Sequence, residues 1–264
     1  MDLKIRGKIA FVTGSKGMAR SAAGFLAGDG ARVAIIAREQ AGIDLAVAEI
    51  VAAGGSAIGI SADLSTRDGI ESAVAETMDR LGPPDIVIAQ GSNNKVGKLF
   101  ELDADDFRDR FEVSTVAMAH LARAVIPGMR EKKWGRFIHI GTSAAREAVS
   151  EFPHMLSNTV APSVMGLLKS LSDEFASEGI TFNSVGPGWV ATEMLENFYR
   201  LRIAPHHPGV SLDEWLDREF FIPAGRAGLP EEIGSFVAYL CSDLAGYCTG
   251  EWIAIDGGKH RSTI

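Results

Sequence analysis

Apolar residues fall in short unbroken runs, separated by longer stretches of helical period. Lys8–Thr13 (KIAFVT), Arg32–Ala37 (RVAIIA), Ser56–Ser61 (SAIGIS), Asp85–Gln90 (DIVIAQ), Arg136–Ile140 (RFIHI) and Ile180–Val185 (ITFNSV) read as strands, with a last one at Trp252–Ile255. Most are apolar at nearly every position rather than at alternate ones, the mark of strands buried on both faces. Helical periodicity fills Met18–Gly28, Gln40–Ala53, Thr66–Leu81, Asp105–Arg130, Leu156–Ser177 and Pro230–Ser242. This alternation predicts an α/β fold. Residues 1–264 are expected to form a single doubly wound, Rossmann-type domain, a seven-stranded parallel sheet flanked by helices.

One stretch breaks the rhythm. Residues 193–226 carry Phe198, Tyr199, Trp215, Phe220 and Phe221, with Arg200, Arg202, His206, His207 and Arg218. A connection this long inside a compact domain is usually functional. Its aromatic content predicts a lid over a substrate; a surface insertion packed on its own side chains is the alternative.

Composition narrows the function classes. A chain of 264 residues, 46% hydrophobic and 23% charged, supports a large core and excludes disorder. The net charge of −8, with no basic run, excludes nucleic acid as partner. The two cysteines, Cys241 and Cys248, lie in an apolar stretch and read as reduced, buried thiols, not as a metal set. Met1–Arg6 lacks a signal-peptide core and no apolar run reaches membrane length, so a soluble cytoplasmic protein without a membrane partner is expected.

Candidate chemistry begins at the end of the first strand. Thr13-Gly14-Ser15-Lys16-Gly17-Met18-Ala19-Arg20 leads straight into a helix. Glycines there let the backbone turn tightly and approach a pyrophosphate seated on the helix N-terminus. The second strand ends at Ala37-Arg38, where enzymes choosing NAD place a carboxylate. Lys16 and Arg38 are cations in a region without that carboxylate. They suit a 2′-phosphate, so NADP(H) is expected over NAD(H).

Other motifs carry a resemblance. Asn183-Ser184-Val185-Gly186-Pro187-Gly188-Trp189-Val190-Ala191-Thr192-Glu193-Met194, then Gly225–Ile233 and Tyr247–Gly258, are similar to patterns of the short-chain dehydrogenase/reductase family, as is the glycine loop. The resemblance spans about Ile5 to Gly258. It implies that Asp63 and Leu64 meet the adenine, and that Gln90 and Gly91 admit the cofactor. Pro187 and Gly188 would shape the nicotinamide pocket, and Val190 and Thr192 would reach the carboxamide and phosphates. Relatives assemble as tetramers or dimers, so a homo-oligomer is expected.

The catalytic motifs depart from that pattern. The loop reads Gly14 to Gly17 where the family has one residue more, and Ala19 stands for its third glycine. Ala89-Gln90-Gly91-Ser92 replaces Asn-Asn-Ala-Gly, and Ser114 stands where the family places a catalytic Asn. Thr142 or Ser143 keeps the hydroxyl that polarises a carbonyl. The family's usual step from Thr142 lands on Met155, with Thr159 at the Lys place. Counting back from Gly166-Leu167 puts Ser157 at the Tyr place and Ala161 at the Lys place. The second frame is preferred, because a loop absorbs an insertion more easily than a helix. Neither frame restores a Tyr-Lys pair.

The proton then needs another carrier. His154 has the best-tuned side chain; Glu147 and Glu151 serve if desolvated; Lys95 and Lys98 are outside candidates. Ser157 donates a hydrogen bond, although it also suits a helix start. The expected protein is an NADP(H)-dependent oxidoreductase interconverting a carbonyl and an alcohol, on a small apolar or aromatic substrate, with non-standard catalytic residues. A non-catalytic NADP-binding module and a non-redox lyase or isomerase are the alternatives.

Overall fold

The computed structural model describes residues 2–91, 95–150 and 153–263. Seven strands form one sheet: β1 (Ile9–Thr13), β2 (Arg32–Ala37), β3 (Ser56–Ser61), β4 (Ile86–Ala89), β5 (Gly135–Ile140), β6 (Ile180–Pro187) and β7 (Trp252–Ile255). Their order is β3-β2-β1-β4-β5-β6-β7 and every pairing is parallel. The order reverses between β1 and β4, so the carboxyl ends of these strands open a crevice, the usual ligand position in such sheets.

Side chains alternate across the sheet and bury two cores. Ala10, Val12, Ile35 and Ile138 face α1 (Gly17–Gly28), α2 (Gln40–Ala52) and α9 (Pro230–Leu240). Phe11, Ile36, Phe137 and Phe182 face α3 (Arg67–Arg80), α5 (Ala117–Lys132) and α6 (Met155–Phe175). Asn183 is fully buried on β6 and pins the C-terminal segment: its Nδ2 donates to Cys248 O at 2.8 Å, and its Oδ1 accepts from Glu251 N at 3.2 Å. Burial raises the pKa of the Cys241 thiol, keeping it protonated and inert. Among the described residues no helix is long and apolar enough to cross a membrane.

The helix expected over Asp105–Arg130 is divided. α4 (Ala104–Phe111) passes into a π-turn at Glu112–Val116 before α5 begins. The turn centres on Ser114, where loosening was expected, but the bonded hydroxyl is its neighbour's. Thr115 Oγ1 lies 2.6 Å from Ser163 Oγ, which donates to Val160 O at 2.7 Å and ties the turn to α6. π-turns of this kind recur at functional sites.

Residues 193–226 are not irregular. They form α7 (Glu193–Phe198), α8 (Leu212–Phe220) and short turns between them. Leu195, Trp215, Leu216, Ile222 and Ala227 make a third small core. Trp215 is its centre, with ring centroids 5.3 Å from Phe220, 5.8 Å from Tyr199 and 6.5 Å from Trp189. Most of the aromatic content that pointed to an aromatic substrate is therefore used inside the segment itself.

Candidate active site

The phosphate loop is built from backbone. Thr13 Oγ1 accepts from Gln90 N at 2.7 Å and donates to Gln90 O at 3.2 Å, joining the ends of β1 and β4. The chain then turns through Gly14 (φ +107) and Gly17 (φ +53), a region that side-chain-bearing residues rarely adopt. Ser15 between them is buried, and Ala19 packs inside α1 with no positive φ, so the lost third glycine costs the turn nothing. α1 opens at Lys16 with no side-chain cap and no acid in its first turn. The amides around Gly17 and Met18 thus point a positive end into the crevice.

A second backbone turn closes on the first. A Cβ on Gly188 would come within 2.8 Å of Asp256 Cα, so only glycine passes there. Val190 bridges to Gly228, and Ala191 N donates to Gly228 O at 2.8 Å. Thr192 caps α7, its Oγ1 accepting from Leu195 N at 3.4 Å. Its methyl lies 3.1 Å from where a Cβ on Gly17 would sit. The turn following Pro187 and the phosphate loop therefore face one another.

At the end of β2, Arg38 is exposed, and Lys16 Nζ pairs with Glu39 at 2.7 Å, which raises the Lys16 pKa. Asp63 accepts from Ser65 N at 3.0 Å and Ser65 Oγ at 2.7 Å; those bonds, with the charge of Arg38, lower its pKa. Leu64 beside it is half-buried. Of the two cations expected to meet a 2′-phosphate, Lys16 already has a carboxylate.

The opposite wall is made of side chains. Thr142 Oγ1 accepts from Ala144 N at 3.3 Å, starting a short turn (Ser143–Ala145) that packs on α6. Ser157 lies within the first turn of α6; His154, not Ser157, occupies the cap position, which corrects the helix-start alternative. Ser157 Oγ accepts from an Arg110 guanidinium nitrogen at 3.3 Å. Both bonds use hydroxyl lone pairs and leave the O–H hydrogens for another acceptor. Ser114 is half-buried in the π-turn, and Gly91 leaves 3.6 Å between its Cβ direction and Val113 O.

The other candidate acids lie elsewhere. His154 opens into a cavity of about 380 Å³ lined by Gly97, Lys98, Met155, Asn158 and Thr159, which does not include Thr142, Ser143 or Ser157. Glu147 Oε2 accepts from Arg261 N at 2.6 Å and Ser262 N at 3.2 Å, so its carboxylate holds the C-terminal tail. Lys95 pairs with Asp106. Glu151 and Ser92 lie outside the described residues. Of the three tyrosines, Tyr199 donates to Val210 O inside the small core, while Tyr239 and Tyr247 are exposed.

Residues 12–260 match the family described as enoyl-(acyl carrier protein) reductase. The chain belongs to the short-chain dehydrogenase/reductase family. It is 30% identical over 255 residues to a 3-oxoacyl-[acyl-carrier-protein] reductase of Synechocystis, covering 95% of this chain and 96% of that one. It superposes with a TM-score of 0.91 at 25% identity on L-sorbose reductase of Gluconobacter frateurii complexed with NADPH and L-sorbose, covering 99% and 100% of the two chains. A 3-oxoacyl (acyl-carrier-protein) reductase of Agrobacterium tumefaciens with NADP bound matches at a TM-score of 0.87 and 26% identity, over 97% of this chain and 96% of that one.

Three polar residues of this short-chain dehydrogenase/reductase escaped sequence reasoning: Arg110, His139 and Ser184. His139 Nδ1 lies 3.0 Å from Ser184 Oγ. Burial, then the Arg110 charge, push its pKa down to about 4, so the imidazole is neutral at ordinary pH. A Cβ on Gly141 would meet the ring at 2.8 Å, so the glycine makes room for it. One signal was available for His139, a polar side chain near the carboxyl end of a strand whose only other polar residue is Arg136. Arg110 gave none, because it sits among the charges of Asp105, Asp106, Arg108 and Asp109 and reads as solvated.

Proposed function

We propose that this protein is an NADP(H)-dependent oxidoreductase that interconverts a carbonyl and an alcohol, using Thr142 and Ser157 as the hydroxyls at the substrate oxygen. The observation that carries it is the pair of facing backbone turns, Gly14–Met18 and Pro187–Thr192, beside two hydroxyls whose O–H bonds remain available. A dinucleotide fits these residues: positive-φ glycines and an uncapped helix start suit a pyrophosphate. Relatives complexed with NADPH or NADP support the cofactor choice.

Gly14, Ser15, Gly17 and Met18 would hold the phosphates, Arg38 the 2′-phosphate, and Asp63 and Leu64 the adenine. Gln90, Gly91, Pro187, Gly188, Val190 and Thr192 would hold the nicotinamide side. Bound there, the cofactor supplies or removes hydride. The chain's own part is to stabilise charge on oxygen and to move a proton. Thr142, Ser143 and Ser157 donate hydrogen bonds to the carbonyl; a donor of this kind is worth about 10²–10³ in rate. Ser157 passes its proton to the forming alkoxide, which is about as basic as a serine alkoxide, and solvent replaces it. Ser157 and Ala161 take the places of the family's Tyr and Lys. Ser114 stands at the Asn place, in the π-turn. His154 in its separate cavity and Glu147 on the tail are not assigned the transfer.

The segment 193–226 is the substrate lid. With most of its aromatics packed inward, Met194, Phe198, Leu201 and Phe221 remain exposed for an apolar substrate. The test is NADPH oxidation against a panel of ketones and aldehydes, run beside NADPH binding. Turnover on at least one member is expected, unchanged by His154→Ala. Tight binding without turnover on any member would make the protein a binding module and overturn the assignment.

A further inference from the structure

We propose that Arg110 is a positioning residue that supplies, through Ser157, the positive charge needed on the oxygen side of the reaction. The inference rests on the role given above to Ser157, and deepens it.

A serine hydroxyl is a weak electrophile by itself. What it donates to an oxygen bearing developing negative charge strengthens when a cation donates to its own oxygen. Arg110 occupies that place: its guanidinium nitrogen reaches Ser157 Oγ at 3.3 Å. The guanidinium stays charged at any working pH and presents a fixed fork of donors. It is half-buried, so its field is screened less than at the surface. The fold supplies the direction. α4 ends at Phe111 and the π-turn follows, tied to α6 by Thr115 and Ser163, which sets the last turn of α4 against Ser157.

Two described neighbours add no further charge beside it. Burial, and then the Arg110 charge, keep His139 neutral, its Nδ1 engaged with Ser184 Oγ at 3.0 Å. Ala161, one turn beyond Ser157 on α6, brings no charge. The Arg110 guanidinium therefore brings to Ser157 a positive charge that does not depend on the ionisation of a tyrosine, a lysine or this histidine.

The test uses the full protein with NADP(H) bound and the best ketone of the panel. Arg110→Gln is expected to lower kcat by about 10²-fold, the scale of one oxyanion donor, with NADPH affinity within twofold and little change in melting temperature. Ser157→Ala should cost a similar factor, and the double variant no more than Ser157→Ala alone, since the charge acts through the hydroxyl. Added guanidinium ion should restore part of the activity of Arg110→Ala.

A loss that adds to that of Ser157→Ala, falls on KM alone, or resists guanidinium overturns the inference. Where Ser157→Ala slows the enzyme and Arg110→Gln does not, this inference fails and the assigned function stands. Where Ser157→Ala has no effect, the assigned role of Ser157 fails, and Arg110 with it. A readout without turnover covers the remaining case: p-nitrophenol titrated into the NADP⁺ complex. The wild type is expected to bind the phenolate in preference to the phenol, lowering its pKa, and Arg110→Gln to lose that preference. A wild type that does not distinguish the two forms also overturns the inference. Should Arg110→Gln fold poorly, Arg110→Lys replaces it, keeping the charge but losing the fork, with an intermediate phenolate preference.

Discussion

Around the ends of β1 and β6 the crevice is made of main chain, and around the start of α6 it is made of side chains. On the first side, Gly14 and Gly17 hold φ values of +107 and +53, and Gly188 passes where a Cβ would meet Asp256 Cα at 2.8 Å. On the second, Thr142, Ser157, Arg110 and His139 each depend on a hydrogen-bond or charge partner. Main-chain geometry survives sequence drift as long as glycine stays at the positive-φ positions, which is how Ala19 is tolerated inside α1. A side-chain relay behaves otherwise. Removing one member strands the others, so its members change together. A fold that keeps its binding turns can thus carry a rebuilt catalytic wall.

The comparison breaks most easily on the backbone side. Gly17→Val puts a β-branched residue at positive φ and drives its Cβ toward the Thr192 methyl, 3.1 Å away. NADPH affinity is expected to fall roughly 100-fold, about 2–3 kcal/mol of strain and lost amide geometry. Fluorescence titration measures it, with circular dichroism showing the fold retained. Undiminished affinity would place the phosphates away from this turn.

Arg38 gives a smaller effect. Lys16 is already paired with Glu39 at 2.7 Å, so on the proposed reading selection for a 2′-phosphate falls to Arg38. Arg38→Ala is expected to reduce the NADPH-over-NADH preference by about 10- to 100-fold, the worth of a charged hydrogen bond. The two dissociation constants measured on one preparation decide it. An unchanged ratio would assign cofactor choice to a main-chain contact.

Legibility divided along the same line. β2, β3 and β7 lie where apolar runs placed them, because each run follows closely on a positive-φ glycine (Gly30, Gly54 or Gly250) that marks the turn before the strand. The Gly14–Gly17 turn was legible because glycine at positive φ is a local requirement. Arg110 was not, because its role comes from a contact across 47 residues with Ser157 that no local pattern encodes. The π-turn at Glu112–Val116 was foreseen only as a weak spot at Ser114. Its anchor, Thr115 on Ser163, is again a contact between separate helices. Residues 193–226 looked irregular because their helices are short and close on a core of their own.

The last effect concerns His139 and is read as stability against pH. Its folded pKa of about 4 lies below the ordinary value of 6.5, so the folded protein resists a proton that the unfolded chain accepts. The sign follows from linkage: the unfolded state binds more protons between these two values, so this group's contribution is complete above 6.5, declines as pH falls, and levels out below about 4. His139→Gln retains a side chain able to bond Ser184 and cannot titrate. The expected outcome is a melting temperature for the wild type that drops more steeply than the variant's between pH 6.5 and 4, after both are referred to pH 7.5. Carboxylates titrate in the same window, but identically in both proteins, and cancel in the difference. Parallel curves would mean that His139 protonates as easily in the folded chain as in the unfolded one. The side-chain wall would then lack the low-dielectric setting in which Arg110 acts on Ser157.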